Sequence, residues 1–343
     1  MGELENLTRR AAGAEPLDTG EIRLACDLLF DEARSVEARA AFLSRLHRRG
    51  ETPQEIAGFV QVLLERAVKI PWSGAGCLDV CGTGGDKAGL FNISTTVFFV
   101  AAGAGARLVK HGNRGITSKS GGADVLEALG IDIHFPPDRA ETALERAGCC
   151  FLFAPDYHPT FRAVAPVRQF LGARGEASLF NIIGPLLNPA RPEFQLAGVF
   201  DPDLLEVYGA AMTTLGRRRA WAVHGTGPEG IRLDEVSTLG PTMVTSVADG
   251  KTAHFELSPG IFGPAGDSLQ DLQGSDAAAN ARIIHNILAG SGEPAQRRAV
   301  AANTAAALVV CGRAGSLAEG LELASESIDS GNALEALKAL RET

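Results

Sequence analysis

The chain has 343 residues, 45% hydrophobic and 21% charged, an ordinary balance for a soluble globular protein with room for one large or two ordinary domains. Its net charge of −9 argues against a broad nucleic-acid surface, which wants a basic balance. A small anionic ligand asks only for a local basic loop.

The N-terminus, MGELENLTRR, has no apolar core and no cleavage-site pattern, so no signal peptide is expected and a cytoplasmic location is. The apolar run 97–106 is too short to span a membrane. The six cysteines lack metal-ligand spacing with histidine and read as free thiols.

Residues 1–70 read as helical. Asp18 and Glu21 have capping-box spacing, and Ile22, Ala25, Leu28 and Leu29 follow on one face. A second helix is expected over about 36–48, with Arg39 interrupting its apolar stripe. A third opens at Thr52, Pro53 and Glu55, which are N-cap, first-turn proline and capping-box acid. These helices carry no evident chemistry and suit a small lobe or a dimer face.

After a break at 71–76, strands and helices alternate. Strands are expected at 78–80, 107–109, 149–153 and 221–224. Helices are expected at 93–104, 123–129, 137–147, 161–171 and 203–215. This alternation implies parallel strands with crossover helices. The fold class is therefore α/β: a helical lobe (1–70, with further helices contributing) and a larger domain (71–343) with a mostly parallel central sheet. Residues 243–274 are mixed and not readily placed. Helices return after Asp276, Pro294 and the Ser316–Glu319 capping box, the last ending at Gly331.

The chemistry gathers in two loops that each follow a strand and precede a helix. In LDVCGTGGDKAGLFNIST, Gly82, Gly84 and Gly85 allow positive φ and close approach of a ligand to backbone amides. Asn92, Ser94 and Thr95 lie at the next helix start, where free N–H groups hold phosphate oxygens. The pattern is neither a Walker loop nor a dinucleotide fingerprint. In KHGNRGITSKSGG, Lys110, His111, Asn113, Arg114, Thr117, Ser118, Lys119 and Ser120 are phosphate or hydroxyl partners crowded into one loop. Asp124 and Glu127 read as first-turn acids that favour the helix dipole. Beside a polyphosphate site, Asp234 and Glu235 become candidate Mg²⁺ ligands. Arg168, if it faces the cleft, offers a fork for a carboxylate. His111 and His224 read as packed or capping histidines. No nucleophile–base pair suggests covalent catalysis.

These stretches resemble the anthranilate phosphoribosyltransferase family. The likeness is carried by DVCGTGGDKAGLFNIST, KHGNRGITSKSGGADVLEALG, APDYHPTFRAVAPVRQFLG, FNIIGPLLNP, GVFDP, LDEVSTLGPT and GRAGSLAEGLELASESIDSG, in that order, from about residue 18 to the C-terminus. The resemblance implies a homodimer built through the helical lobe. It also implies Mg²⁺-dependent transfer of phosphoribose from phosphoribosyl pyrophosphate to the anthranilate amine, a step of tryptophan biosynthesis. Residue by residue, it implies that Gly82, Gly85, Asp86, Asn92, Ile93, Ser94 and Thr95 bind the donor. So would the run Lys110, His111, Gly112, Asn113, Arg114, Gly115, Ile116, Thr117 and Ser118, together with Gly122. Gly82, Asn113 and Arg168 would meet the acceptor; Ser94, Asp234 and Glu235 would hold metal. No nucleic acid or membrane is implied as a partner.

The chain departs from the family at Lys87, where glycine is usual, and at Leu90, where a threonine meets the donor. Gly122 replaces a common serine, and the link 171–181 carries a short insertion at 173–180. Rival readings are the same fold with another aromatic or nucleobase acceptor, a pyrimidine nucleoside phosphorylase, and a non-catalytic nucleic-acid-binding relative. Asn113, Arg168 and Asp234–Glu235 fit the transferase, and the net charge opposes the last of these.

Overall fold

The fold is that of a computed structural model, which describes residues 2–85, 88–115, 119–264 and 266–343. Four helices open the chain: α1 (Glu3–Ala11), α2 (Thr19–Phe30), α3 (Val36–Arg49) and α4 (Pro53–Glu65). The capping boxes expected for α2 and α4 form, whereas at Ser316 only half of one does: Ser316 Oγ accepts the Glu319 amide at 3.2 Å, but Glu319 Oε2 accepts the Gly315 amide at 2.6 Å in place of the Ser316 amide. Asp18 Oδ1 accepts the Glu21 amide at 2.8 Å, and Glu21 Oε2 accepts the Asp18 amide at 2.9 Å. Thr52 and Glu55 do the same for α4. Arg39 does not face outward where it interrupts the α3 stripe. It is buried, and its Nη1 donates to the carbonyls of Leu29 (3.1 Å) and Ala163 (2.8 Å), so two backbone groups replace the water a guanidinium otherwise needs.

The alternating part follows as β1 (Cys77–Gly82), α5 (Ile93–Gly103), β2 (Arg107–Gly112), α6 (Gly122–Ala128), α7 (Pro137–Ala147), β3 (Cys149–Phe153) and the short α8 (Ala154–Tyr157). The helix expected at 161–171 is two pieces, a 3-10 turn at Pro159–Val164 and α9 (Ala165–Gly172). Pro166 explains the break: it lacks an N–H, and its ring opposes a helix running through it. Then come β4 (Phe194–Gly198), α10 (Leu204–Thr214), β5 (Arg219–Thr226) and β6 (Arg232–Leu233). The unplaced region begins as a hairpin of β7 (Thr242–Ala248) and β8 (Lys251–Leu257). The chain ends in α11 (Ala277–Leu288), α12 (Pro294–Cys311), α13 (Leu317–Asp329) and α14 (Asn332–Arg341). Gly331 thus separates two helices.

The sheet runs β3-β2-β1-β4-β5-β7-β8, with β6 on β5. The five strands from β3 to β5 are parallel, and the hairpin adds antiparallel strands at one edge. The strand order reverses between β1 and β4. In an open α/β sheet such a switch point leaves a crevice beyond the carboxyl ends of the strands. One apolar core packs α5, α6 and α11–α14 on the sheet. A second joins α1–α4 and α9 to α10 and to Ala197, Ala220 and Ala222 on the sheet's other face. The six cysteines are unpaired.

Candidate active site at the strand switch point

Gly82 and Gly198 end β1 and β4 side by side, and Gly225 lies near the end of β5. All three are glycine for one steric reason. A Cβ on Gly82 would stand 2.3 Å from Asp234 Oδ2, one on Gly198 1.6 Å from the Asp234 carbonyl, and one on Gly225 2.4 Å from the Glu235 carbonyl. The missing side chains let the acidic segment after β6 lie directly across the strand ends. Asp234 Oδ2 there accepts the Gly84 amide at 2.7 Å. The first loop is fastened beside it, with the Thr83 amide on the Gly198 carbonyl (2.9 Å) and the Phe200 amide on Thr83 Oγ1 (3.1 Å). Gly84 and Gly85 have φ of 67° and 88°, a region that penalises any side chain.

β1 and β2 pair at their starts, at Cys77–Arg107 and Leu78–Leu108. Farther along, side chains bridge the two strands. Asn188 Nδ2 donates to Asp79 Oδ2 (3.0 Å) and to the Val109 carbonyl (2.7 Å). Lys110 Nζ donates to the Val80 carbonyl and to Ser94 Oγ, the latter at 3.2 Å. Lys110 is therefore buried, with its ammonium held beneath the first loop. Ser94 and Glu235 line one narrow cavity with Val80, Cys81 and Asn303. The structure so brings Gly82, Ser94, Lys110, Asp234 and Glu235 together.

The second loop is braced by α6. Asp124 Oδ2 accepts the amides of Gly115 and Gly121, both at 2.9 Å. Burial works against its charge, but those amides and Arg114 outweigh it and hold the carboxyl below its usual range. Asp124 is thus a loop brace, more than a dipole partner. The Arg114 guanidinium pairs with Asp124 and Glu127, so in this structure it is turned back onto α6. Asn113 is exposed and its Oδ1 accepts the Arg114 amide at 2.8 Å. Gly122 meets the first loop: a Cβ there would stand 3.4 Å from Thr95 Oγ1, an ordinary contact. Ile93 and Thr95 are buried, so Ile93 can offer a ligand only its backbone. Gly112 ends β2 opposite Phe153. Asp86, Lys87, Ile116, Thr117 and Ser118 lie outside the described residues.

His111 and His158 are both buried and meet edge to face at 5.2 Å. His158 Nε2 donates to the Leu187 carbonyl at 2.8 Å. Burial pushes both imidazoles below their ordinary pKa, so both stay neutral. The contact runs on through Phe161 and Phe180 toward the α9 layer. Arg168 sits on α9, half-buried, its pKa lowered by burial. Among the described residues it makes no hydrogen bond or ion pair, and it touches neither loop through one. His224 Nδ1 donates to the Val199 carbonyl and is structural.

Several supporting residues escape sequence reading. Leu90 forms a β-bridge with Gln273 and packs on the core, a structural reason for its apolar side chain. Asn303, buried in the Ala-rich α12, bonds Val236 twice: Nδ2 to the carbonyl and Oδ1 from the amide, each 2.8 Å. It fixes the backbone next to Glu235. A polar residue inside the apolar run AVAANTAAALVV is the one signal that marks it. The stretch after α9 opens with a turn at Ala173–Gly175, and Glu176 beyond it bonds Ser44 and pairs with Arg48 on α3.

Ser94, Asp234 and Glu235 supply hard oxygen donors. Among the described residues no group of three or more His, Cys, Asp or Glu is placed to hold a metal. The donor set therefore fits Mg²⁺ sharing a ligand's phosphate oxygens, and not a closed protein cage.

The sequence matches the model of the glycosyl transferase family helical bundle domain over residues 5–67 and that of the family's a/b domain over 74–334. It is 44% identical to the anthranilate phosphoribosyltransferase of Pelodictyon phaeoclathratiforme, over 95% of this chain and 92% of that one. Its fold is similar to the crystal structure of the Thermus thermophilus enzyme of that name, with a TM-score of 0.88, 36% identity, and 98% and 99% of the two chains covered. It is also similar to the Saccharomyces cerevisiae enzyme in complex with phosphoribosyl pyrophosphate and Mg, with a TM-score of 0.85, 28% identity, and 99% and 97% covered. The chain belongs to the anthranilate phosphoribosyltransferase family and is a glycosyltransferase enzyme of pentosyl transfer.

Proposed function

We propose that the enzyme transfers phosphoribose from phosphoribosyl pyrophosphate to the amine of anthranilate, releasing pyrophosphate, with Mg²⁺ as cofactor. The supporting observation is the acidic segment seated on Gly82, Gly198 and Gly225, which puts Asp234 and Glu235 beside Ser94, Lys110 and the first loop. In this reading Gly82, Gly85, Asp86, Asn92–Thr95, Lys110–Ser118 and Gly122 bind the donor, through amides more than side chains at Arg114 and Ile93. Gly82, Asn113 and Arg168 face anthranilate. The Arg168 guanidinium, with no hydrogen bond or ion pair among the described residues, is available for its carboxylate. Ser94, Asp234 and Glu235 would hold Mg²⁺, which when bound supplies positive charge against the pyrophosphate oxygens.

The bond from ribose C1 to the pyrophosphate oxygen breaks, and its electron pair leaves with pyrophosphate. Lys110 and the loop amides are fixed before reaction, so they stabilise that growing charge without reorganising. C1 becomes electron-poor and takes the lone pair of the neutral aromatic amine, held in place on the opposite side. The nitrogen then loses a proton. A strong base is not required, because the amine is already neutral at pH 7.

The wider role is a step of tryptophan biosynthesis, in the cytoplasm, by a homodimer paired through its helical lobe. Among the described residues no helix is long and apolar enough to cross a membrane. The test is loss of anthranilate fluorescence on adding phosphoribosyl pyrophosphate and Mg²⁺. Donor binding without that loss would reject the acceptor and point to the 173–180 insertion.

A further inference from the structure

The region that sequence reading leaves unplaced closes over the far half of the first loop. The Phe91 amide bonds the Leu272 carbonyl (3.0 Å), the Gly274 amide bonds the Gly89 carbonyl (2.8 Å), and Gln273 Nε2 bonds the Ala88 carbonyl (2.8 Å). Gly274 must be glycine there, because a Cβ would stand 2.7 Å from Phe91 Cα. Just beyond the segment lies Asn280, in the first turn of α11 and buried to 2% exposure.

Asn280 is the middle of a chain of hydrogen bonds with a fixed direction. At one end the Ser275 amide donates to Asn280 Oδ1 at 2.8 Å. Asn280 Nδ2 then donates to Asn92 Oδ1 at 2.8 Å. Asn92 Nδ2 in turn donates to the Ser120 carbonyl at 3.3 Å, and Ser120 Oγ returns to Asn92 Oδ1 at 3.4 Å. An N–H starts the chain and a C=O ends it, and neither can exchange roles. Both amide side chains between them are therefore locked in one orientation. The chain crosses from α11 through the first loop to the second.

We propose that Asn280 is a positioning residue for the sugar-phosphate donor: it orients the Asn92 amide and ties the two phosphate-binding loops into one cradle. This rests on the donor site proposed above. It assigns Asn280, which carries no recognised ligand motif, a role through Asn92 without contact to the reacting atoms. With Oδ1 of Asn92 engaged, its N–H face is turned to the second loop, the polarity that suits an anionic ligand lying between the loops.

The test uses Asn280→Asp and Asn280→Ala in the full-length protein. Asn280→Asp keeps the acceptor for the Ser275 amide and removes the N–H that Asn92 needs. The expected result is a rise of about tenfold in KM for phosphoribosyl pyrophosphate, the scale of one buried hydrogen bond lost. KM for anthranilate should stay within about twofold. In an Asn92→Ala background the same change should add little, because the bond is already gone. Equal rises in both KM values, or full additivity with Asn92→Ala, would mark Asn280 as merely structural and overturn the proposal. So would an unchanged donor KM in a folded Asn280→Asp. Titration calorimetry of donor with Mg²⁺ runs alongside on the wild type. Donor binding without anthranilate turnover would reject the acceptor reading and leave Asn280 to be judged on donor affinity. No donor binding would overturn both.

Discussion

The two loops of the site are held in different ways. The described part of the first, 82–95, is fastened by residues far away in the chain: Gly198, Asp234, Leu272, Gln273 and Asn280. The described part of the second, 110–115 and 119–122, is joined to Asn92 at Ser120 and is braced by its own following helix, through Asp124 on two of its amides and Glu127 on Arg114. The first loop therefore registers the correct assembly of the whole sheet. The second takes two of its amide bonds from a single carboxylate, Asp124.

The comparison breaks most sharply at Gly198. Gly198→Ala puts a methyl where the Asp234 carbonyl now sits. The acidic segment must move, and turnover should fall by about 100-fold or more, with about 1–3 kcal/mol lost in stability. Steady-state kinetics with a denaturant titration checks both.

The second loop should fail locally. Asp124→Ala removes the acceptor of two amides, and donor affinity should fall by roughly tenfold. Calorimetry should show the thermal midpoint less affected than in Gly198→Ala. Equal damage from the two changes would erase the distinction.

At the root of the second loop, His111 and His158 have folded-state pKa values below the unfolded one. The unfolded chain then takes up protons first as pH falls through about 6.5, and stability is lost from there downward. The slope is at most about 1.4 kcal/mol per pH unit for each histidine. His158→Gln, which keeps an N–H for the Leu187 carbonyl, should remove about half of it in melts between about pH 7.5 and pH 5.

The smallest effect is expected at Gly122→Ser. The Cβ fits against Thr95, and replacing a helical glycine should stabilise by up to about 1 kcal/mol. A gain in donor affinity would extend the bracing of the second loop by its own helix; a loss would show that the loops meet more tightly than this geometry allows.

The same division governs how much is legible in the sequence. Caps, crossover helices and both loops are local patterns, and the α/β class follows from them. Asp124 is visible as a first-turn acid, but its two amide bonds depend on how the loop folds back. β4 is short and wholly buried, so it has no alternation to betray it. The 3-10 turn before α9 depends on where Pro166 allows a helix to begin. Asn280 and Asn303 are the hardest to find, because each acts on a loop that only the finished topology brings near. The steric reason for Gly198 is equally invisible until the acidic segment lies over it.

On the proposed function, the acidic segment on the switch-point glycines completes a metal-dependent donor site. Turnover of anthranilate against Mg²⁺ concentration, in the wild type and in the Asp234→Ala, Glu235→Ala double variant, tests it most directly. The predicted result is Mg²⁺-dependent turnover in the wild type and strongly weakened, Mg²⁺-insensitive turnover in a folded double variant. Identical Mg²⁺ curves for the two proteins would contradict it.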